Sequence, residues 1–242
     1  VDLLQLRRQV EEALNLLEQQ SYIQRNGDVY EYLTDEEKDV EKEIKNTEVD
    51  SDAVTNELGK IIFDQVIRDR KISDDNKQDF PYTRKLDGHL QGRESETAIH
   101  VITPFHEHFD NEETLRMQSM GRDELLIILP ADYYLVTDTQ MYKRTEKYIQ
   151  QNLTAAQQES IRRILTEKSL QNRERARQLE LKIKTLISTA KMFIGGTEIE
   201  ITGTDPLTRI VKGFQELIRR TYPNLKMLHG ITYSENDIES YL

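Results

Sequence analysis

Five arginines, Arg162, Arg163, Arg173, Arg175 and Arg177, stand in the one strongly basic stretch of the chain, where residues 140 to 195 hold 12 Lys and Arg against five Glu. Guanidinium groups at this density can neutralise phosphates, so the first chemistry on offer is contact with a nucleic-acid backbone. The competing reading is a solvated helix whose arginines pair with acidic residues of this or a neighbouring subunit. No aromatic residue interleaves with the five, although stacking on single-stranded bases relies on such rings. The surrounding chain is acidic. Net charge is −11, and residues 1 to 80 hold 21 Asp and Glu against 11 Lys and Arg.

The second group with chemical potential is His100, His106, Glu107 and His108. A His-x-His pair can offer two metal ligands, but no third and fourth ligand follow at a recognisable spacing. A metal-dependent hydrolase is therefore the third functional reading, and a solvated loop after Pro104 the plain one. Asp123, Glu124 and Asp132 flank an apolar run, where sites of α/β proteins often form; helix capping accounts for Asp132 without a site. No Gly-rich loop ending in Lys-Ser or Lys-Thr occurs, and Gly195-Gly196 has no Lys after it. The absence of Cys removes disulfides, thiolate metal sites and Cys nucleophiles, and suits a reducing cytoplasm. No apolar run approaches the roughly 20 residues of a membrane helix. No catalytic, cofactor-binding or metal residue is assigned. The segment is read as non-enzymatic, cytoplasmic and without a membrane partner.

These residues must be held by a mostly helical α+β architecture. An apolar share of 36% against 32% charged fits surface-rich helices. The chain opens on Val1 with Leu3, Leu6, Val10, Leu14 and Leu17 at helical spacing, as an internal segment would. Asn26-Gly27 then turns a short hairpin, so residues 1 to 33 read as the closing helix and wing of a winged helix. Thr34 and Glu37 form a capping box for a helix over 35 to 46. A second helix, over 52 to 69, buries Val54, Leu58, Ile61, Ile62 and Val66. Strands follow over 80 to 86, with a turn at Asp87-Gly88, and over 98 to 102. Another covers Leu125 to Leu129, and a helix over 111 to 119 makes a parallel crossover before it. A helix over 132 to 151 is expected to cover that sheet.

Thr154 and Gln157 are expected to cap a very long helix that runs to Ala190 or Phe193 and ends at Gly195-Gly196. Its middle, Thr166 to Gln178, is too polar for a core. The helix is therefore a strut between packed ends or is broken near Asn172. A strand over 197 to 201 and a helix from Asp205-Pro206 to Pro223 complete the reading, with Ile210, Phe214, Leu217 and Ile218 inward. Three regions result: 1–73, helical with the winged-helix remnant; 74–151, a small α/β layer with a short sheet; 152–242, the long basic helix with a terminal strand and helix. The acidic end, Ser234 to Leu242, carries no stop signal.

The run from Tyr22-Ile23-Gln24-Arg25-Asn26-Gly27 through Thr34-Asp35-Glu36-Glu37 to Ile44 resembles the middle of the large P-loop ATPase of bacteriophage-exclusion (BREX) systems, the BrxC or PglY family. Leu126-Ile127-Ile128-Leu129-Pro130, Asn172-Arg173-Glu174-Arg175 and Ala190 to Gly195 agree with it in style. The resemblance implies an antiviral-defence role downstream of an ATPase module near the parent protein's amino terminus. ATP and Mg²⁺ would belong to that parent and not to this fragment, since none of the nucleotide-binding residues has a counterpart here. The leading expectation is a non-catalytic interaction and scaffold region with other BREX proteins as partners. The alternative is a DNA-binding module that uses the basic helix. Self-association through that helix is a further expected contact.

Overall fold

A computed structural model describes residues 3–26, 29–75 and 77–225. Among them are seven α-helices and ten strands, a mostly helical α+β fold. The chain divides into two compact units, each assembled from two separated segments: Val1–Val66 with Asp132–Lys184, and Ile67–Ala131 with Thr185–Leu242. The sequence suggested three consecutive regions. The ends, including Val1 and Ser234 to Leu242, lie outside the described residues, as do the turn residues Gly27 and Asp28.

In the first, helical unit, α1 (Leu3–Gln19) leads into β1 (Ile23–Asn26) and β2 (Val29–Tyr32), an antiparallel pair in register from Ile23 with Tyr32 to Asn26 with Val29. No residue of α1 is buried. α2 (Asp35–Asn46) starts at the expected capping box: the Glu37 amide donates to Thr34 Oγ1, and the Thr34 amide donates to Glu37 Oε2 at 2.7 Å. α3 (Ser51–Lys60) continues as a π-helical stretch, Ile61–Ile67, that buries Ile61, Ile62 and Phe63. α5 (Tyr133–Asn152) packs on α2 and α3. It was expected to cover the sheet and instead belongs to the helical unit. Its buried positions are Leu135, Thr139, Thr145 and Tyr148. Thr139 and Thr145 return their hydroxyls to the helix's own carbonyls, of Leu135 at 2.6 Å and Met141 at 2.8 Å, so they pack without unpaired groups. Val40, Ile44, Tyr148, Ile164 and Leu165 form a core cluster here.

α6 (Glu159–Thr189) is continuous for 31 residues and unbroken at Asn172. It begins after a turn that follows α5, so Thr154 does not cap it. Its polar middle enters the interior, contrary to expectation, because each buried polar group there finds a partner. Lys168, 6% exposed, donates to Glu41, itself 5% exposed, and to Gln24 Oε1 at 2.5 Å. Asn172, also 6% exposed, donates through Nδ2 to the Tyr142 carbonyl at 3.0 Å.

In the second, sheet unit, six strands run in the order β10-β9-β8-β7-β5-β6, beside a small β3 (Lys71–Ser73) and β4 (Asp79–Pro81) pair. The central strands β5 (Thr83–Leu86), β7 (Ala98–Ile102) and β8 (Glu124–Ile128) are mutually parallel. Every residue of β7 and β8 is buried, as parallel strands covered on both faces require. Asp87-Gly88, with φ of 49° and 83°, turns β5 into the antiparallel β6 (His89–Leu90). α4 (Glu112–Ser119) makes the expected crossover and packs on β8. Gly195-Gly196 does not end the long helix. It turns β9 (Lys191–Ile194) into β10 (Thr197–Ile199), with φ of 57° and 76° at the two positions of a tight hairpin. α7 (Pro206–Thr221) buries Ile210, Phe214, Leu217 and Ile218 as expected. It also packs on β8, where a Cβ at Gly213 would stand 3.1 Å from Leu125 Cδ2.

Candidate functional site

The five arginines occupy a helix that turns about 100° per residue, which separates them. Arg162, Arg163, Arg173 and Arg177 fall within a sector of roughly 100° and are exposed, whereas Arg175 lies on the other side and is half-buried. The structure therefore brings four together and excludes the fifth. Arg177 is held by Glu174 through Nε at 2.9 Å and Nη2 at 2.6 Å. The hydrogen bonds from Arg177 and then Gln178 pull the Glu174 carboxyl down to about 2. Arg162 donates to the Ala156 carbonyl at 3.0 Å. Among the described residues, Arg163 and Arg173 have no hydrogen-bond or ion-pair partner. Two side chains on the same sector are apolar: Leu170, 59% exposed, and Leu181, 45% exposed.

The histidines do not form one site. The His106 and His108 rings stand 5.8 Å apart, and the His108 amide donates to His106 Nδ1 at 3.0 Å. Burial, then the neighbouring His100 and His108, push the His106 pKa down. His100 lies within β7 and is buried. Its Nε2 accepts from the Gly88 amide at 3.0 Å, which leaves Nδ1 to face Glu124 Oε1 at 3.4 Å. Glu124, 1% exposed, also meets Lys85 Nζ at 3.3 Å. Burial raises its pKa, but the His100 hydrogen bond and the charges of His100 and Lys85 outweigh that and hold it low. Among the described residues no group of three or more His, Cys, Asp or Glu could hold a metal ion. Asp123 accepts from the Thr221 hydroxyl at 3.0 Å. Asp132 caps α5, accepting from the Leu135 amide at 2.7 Å.

A half-buried carboxyl beside this network escaped the sequence reading. Asp87 accepts from the Thr103 amide and hydroxyl, both at 2.7 Å, and burial pushes its pKa up to about 6. Its only sequence signal was the Asp-Gly turn.

The six-stranded sheet agrees with a match to a known family. A family model described as "BREX ATP-binding protein BrxC 4th domain with six-stranded beta sheet" matches residues 47–217 of the 242. The chain belongs to the BrxC family. All six strands of the sheet lie inside the matched range. No solved structure matches the chain. The BrxC assignment carries a role in the BREX phage-defence system, and with it other BREX components as partners. No helix among the described residues is long and apolar enough to cross a membrane.

Proposed function

We propose that this BrxC segment is a non-catalytic interaction and scaffold region, working in the cytoplasm as part of an ATPase whose ATP and Mg²⁺ site lies elsewhere in the parent protein. The observation that carries the reading is the outer face of α6, where Leu170 and Leu181 stand exposed among Arg162, Arg163, Arg173 and Arg177. Covering exposed leucines with a partner's apolar surface lowers the free energy of the system. Arginine is the charged residue most at home in such interfaces, because its planar group tolerates partial desolvation. A face built only for phosphate has no use for Leu170. The exposed, amphipathic α1 and the β1–β2 hairpin fit a winged-helix remnant offering a second such surface.

The test pairs the purified chain with each purified BREX protein. Leu170→Glu is expected to weaken the productive complex about tenfold or more, since it buries a charge in an apolar contact. ATP hydrolysis by the purified chain that a single substitution within it abolishes would sink the non-catalytic reading.

A DNA contact is the second reading, favoured by Arg163 and Arg173, which have no hydrogen-bond or ion-pair partner among the described residues. Charge reversal at Arg162, Arg163 and Arg173 should then weaken DNA binding and flatten its dependence on salt. No salt-dependent binding at low ionic strength would remove this alternative.

A further inference from the structure

The helical unit contains a cleft of about 360 Å³, lined from α1, β1, α2, α5 and α6. That size suits a small ligand. Its charges are unevenly satisfied. Three carboxylates face it, and two of them are committed to cations. Asp138 takes the Arg25 guanidinium at 2.5 Å and Glu41 takes Lys168, while burial pushes the Glu18 pKa up against the opposing charges of Arg25 and Lys45.

The cations are less well matched. Lys45 donates to the Glu18 backbone carbonyl and to Ser21 Oγ at 3.0 Å, neither of them charged. Arg144 has no hydrogen-bond or ion-pair partner among the described residues. Arg175 is held by one neutral group: its Nη1 donates to Asn172 Oδ1 at 2.8 Å. Asn172 is fixed in turn by its bond to the Tyr142 carbonyl. A guanidinium carries five N–H donors in a rigid fork, so most of Arg175's capacity is unspent where it lines the cleft.

We propose that this cleft binds a small oxyanion-bearing ligand, a phosphate or polycarboxylate, gripped by Arg175 and Arg144. Burial pushes the Arg175 pKa below its ordinary value, against the opposing pull of Asp138 and Glu41, neither of which bonds to it because each is taken by another cation. A bound oxyanion would meet the guanidinium directly, through paired, charge-assisted hydrogen bonds that arginine geometry favours. Asn172 acts as a positioning residue, holding the guanidinium in place before the ligand arrives and so lowering the ordering cost of binding. The site is independent of the outer α6 face, because Arg175 points away from it.

Isothermal titration of the whole chain with pyrophosphate, and separately with citrate, at low salt tests the proposal. Saturable one-to-one binding of at least one probe is expected, and the tighter probe identifies the ligand as a phosphate or a carboxylate. Arg175→Gln and Arg144→Gln should each weaken it about tenfold or more. Replacing Arg162, Arg163 and Arg173 together by Gln should leave affinity within about twofold of the parent. Arg144 has no hydrogen-bond or ion-pair partner among the described residues, so R144Q keeps the test valid even where R175Q melts early. Failure of both probes to saturate, or binding that survives R144Q and falls with the outer-face triple variant, overturns the proposal.

Discussion

The two units of this chain solve the same problem, filling an interior, with their buried polar groups placed differently. The sheet unit closes around Ile102, Leu115, Leu126, Ile128 and Phe193, apolar side chains on strands whose backbone groups are paired by neighbouring strands. The helical unit has the small cluster around Val40, Ile44, Tyr148, Ile164 and Leu165, supplemented by the buried ion pair of Lys168 with Glu41 and the half-buried pair of Arg25 with Asp138. Apolar burial is non-directional and tolerates rearrangement within limits of volume. A buried ion pair gains little net free energy against a hydrophobic substitute but penalises every arrangement that separates its charges. The helical unit therefore adds to its apolar core a pairing across 127 residues of chain, whereas the buried polar set of the sheet unit, His100, Glu124 and Lys85, sits on neighbouring strands of the sheet itself.

Double substitution separates the two strategies. Lys168→Ala strands Glu41 in the interior and should cost about 3–5 kcal/mol in urea unfolding. Phe193→Ala, at a position with 0% exposure, should cost a similar ~3–5 kcal/mol through lost contacts and a cavity. The difference lies in rescue. Adding Glu41→Leu to Lys168→Met should return the helical unit to near or above its parent stability, whereas no charge change restores the sheet unit. A K168M/E41L protein no more stable than K168A would contradict the comparison.

Asp87 tests a smaller effect in the sheet unit. Its folded pKa, about 6, is raised above its ordinary value of 3.8. The folded state thus binds the proton more tightly, and stability falls as pH rises from about 4 to 6. The lost stability is on the order of 2–3 kcal/mol at neutral pH. Asp87→Asn keeps an acceptor for the Thr103 amide and tolerates the positive φ at this position. It should raise the melting temperature at pH 8 and flatten the profile between pH 4 and 6. An unchanged profile would remove Asp87 as the titrating group. The smallest expected change is Thr34→Ala, about 1 kcal/mol from the lost cap of α2, read by the same unfolding measurement.

Local signals were legible and distant ones were not. The Thr34–Glu37 box, the βαβ crossover and the inward face of α7 all follow from spacing within a few residues. β9 was missed because Lys191-Met192-Phe193-Ile194 reads as a continuation of the long helix; the Gly-Gly that follows, treated as a hairpin turn, would have recovered it. α5 was attached to the wrong partner because half its buried stripe is threonine, which gives no apolar signature. The polar middle of α6 could not be placed inward from sequence, since Glu41 lies 127 residues away from Lys168. The cleft shares this property: Arg25 and Asp138 are 113 residues apart, and no motif spacing announces their meeting. Of the five arginines, helical rotation alone would have set Arg175 apart from the other four.

The central claim, that this BrxC segment works by binding, is tested most directly by co-elution of the purified chain with each of the other BREX proteins on size exclusion. A stable complex with at least one of them, lost on Leu170→Glu with the chain still folded, is the predicted result. Failure to bind any of them, or a complex indifferent to the exposed face of α6, would contradict it.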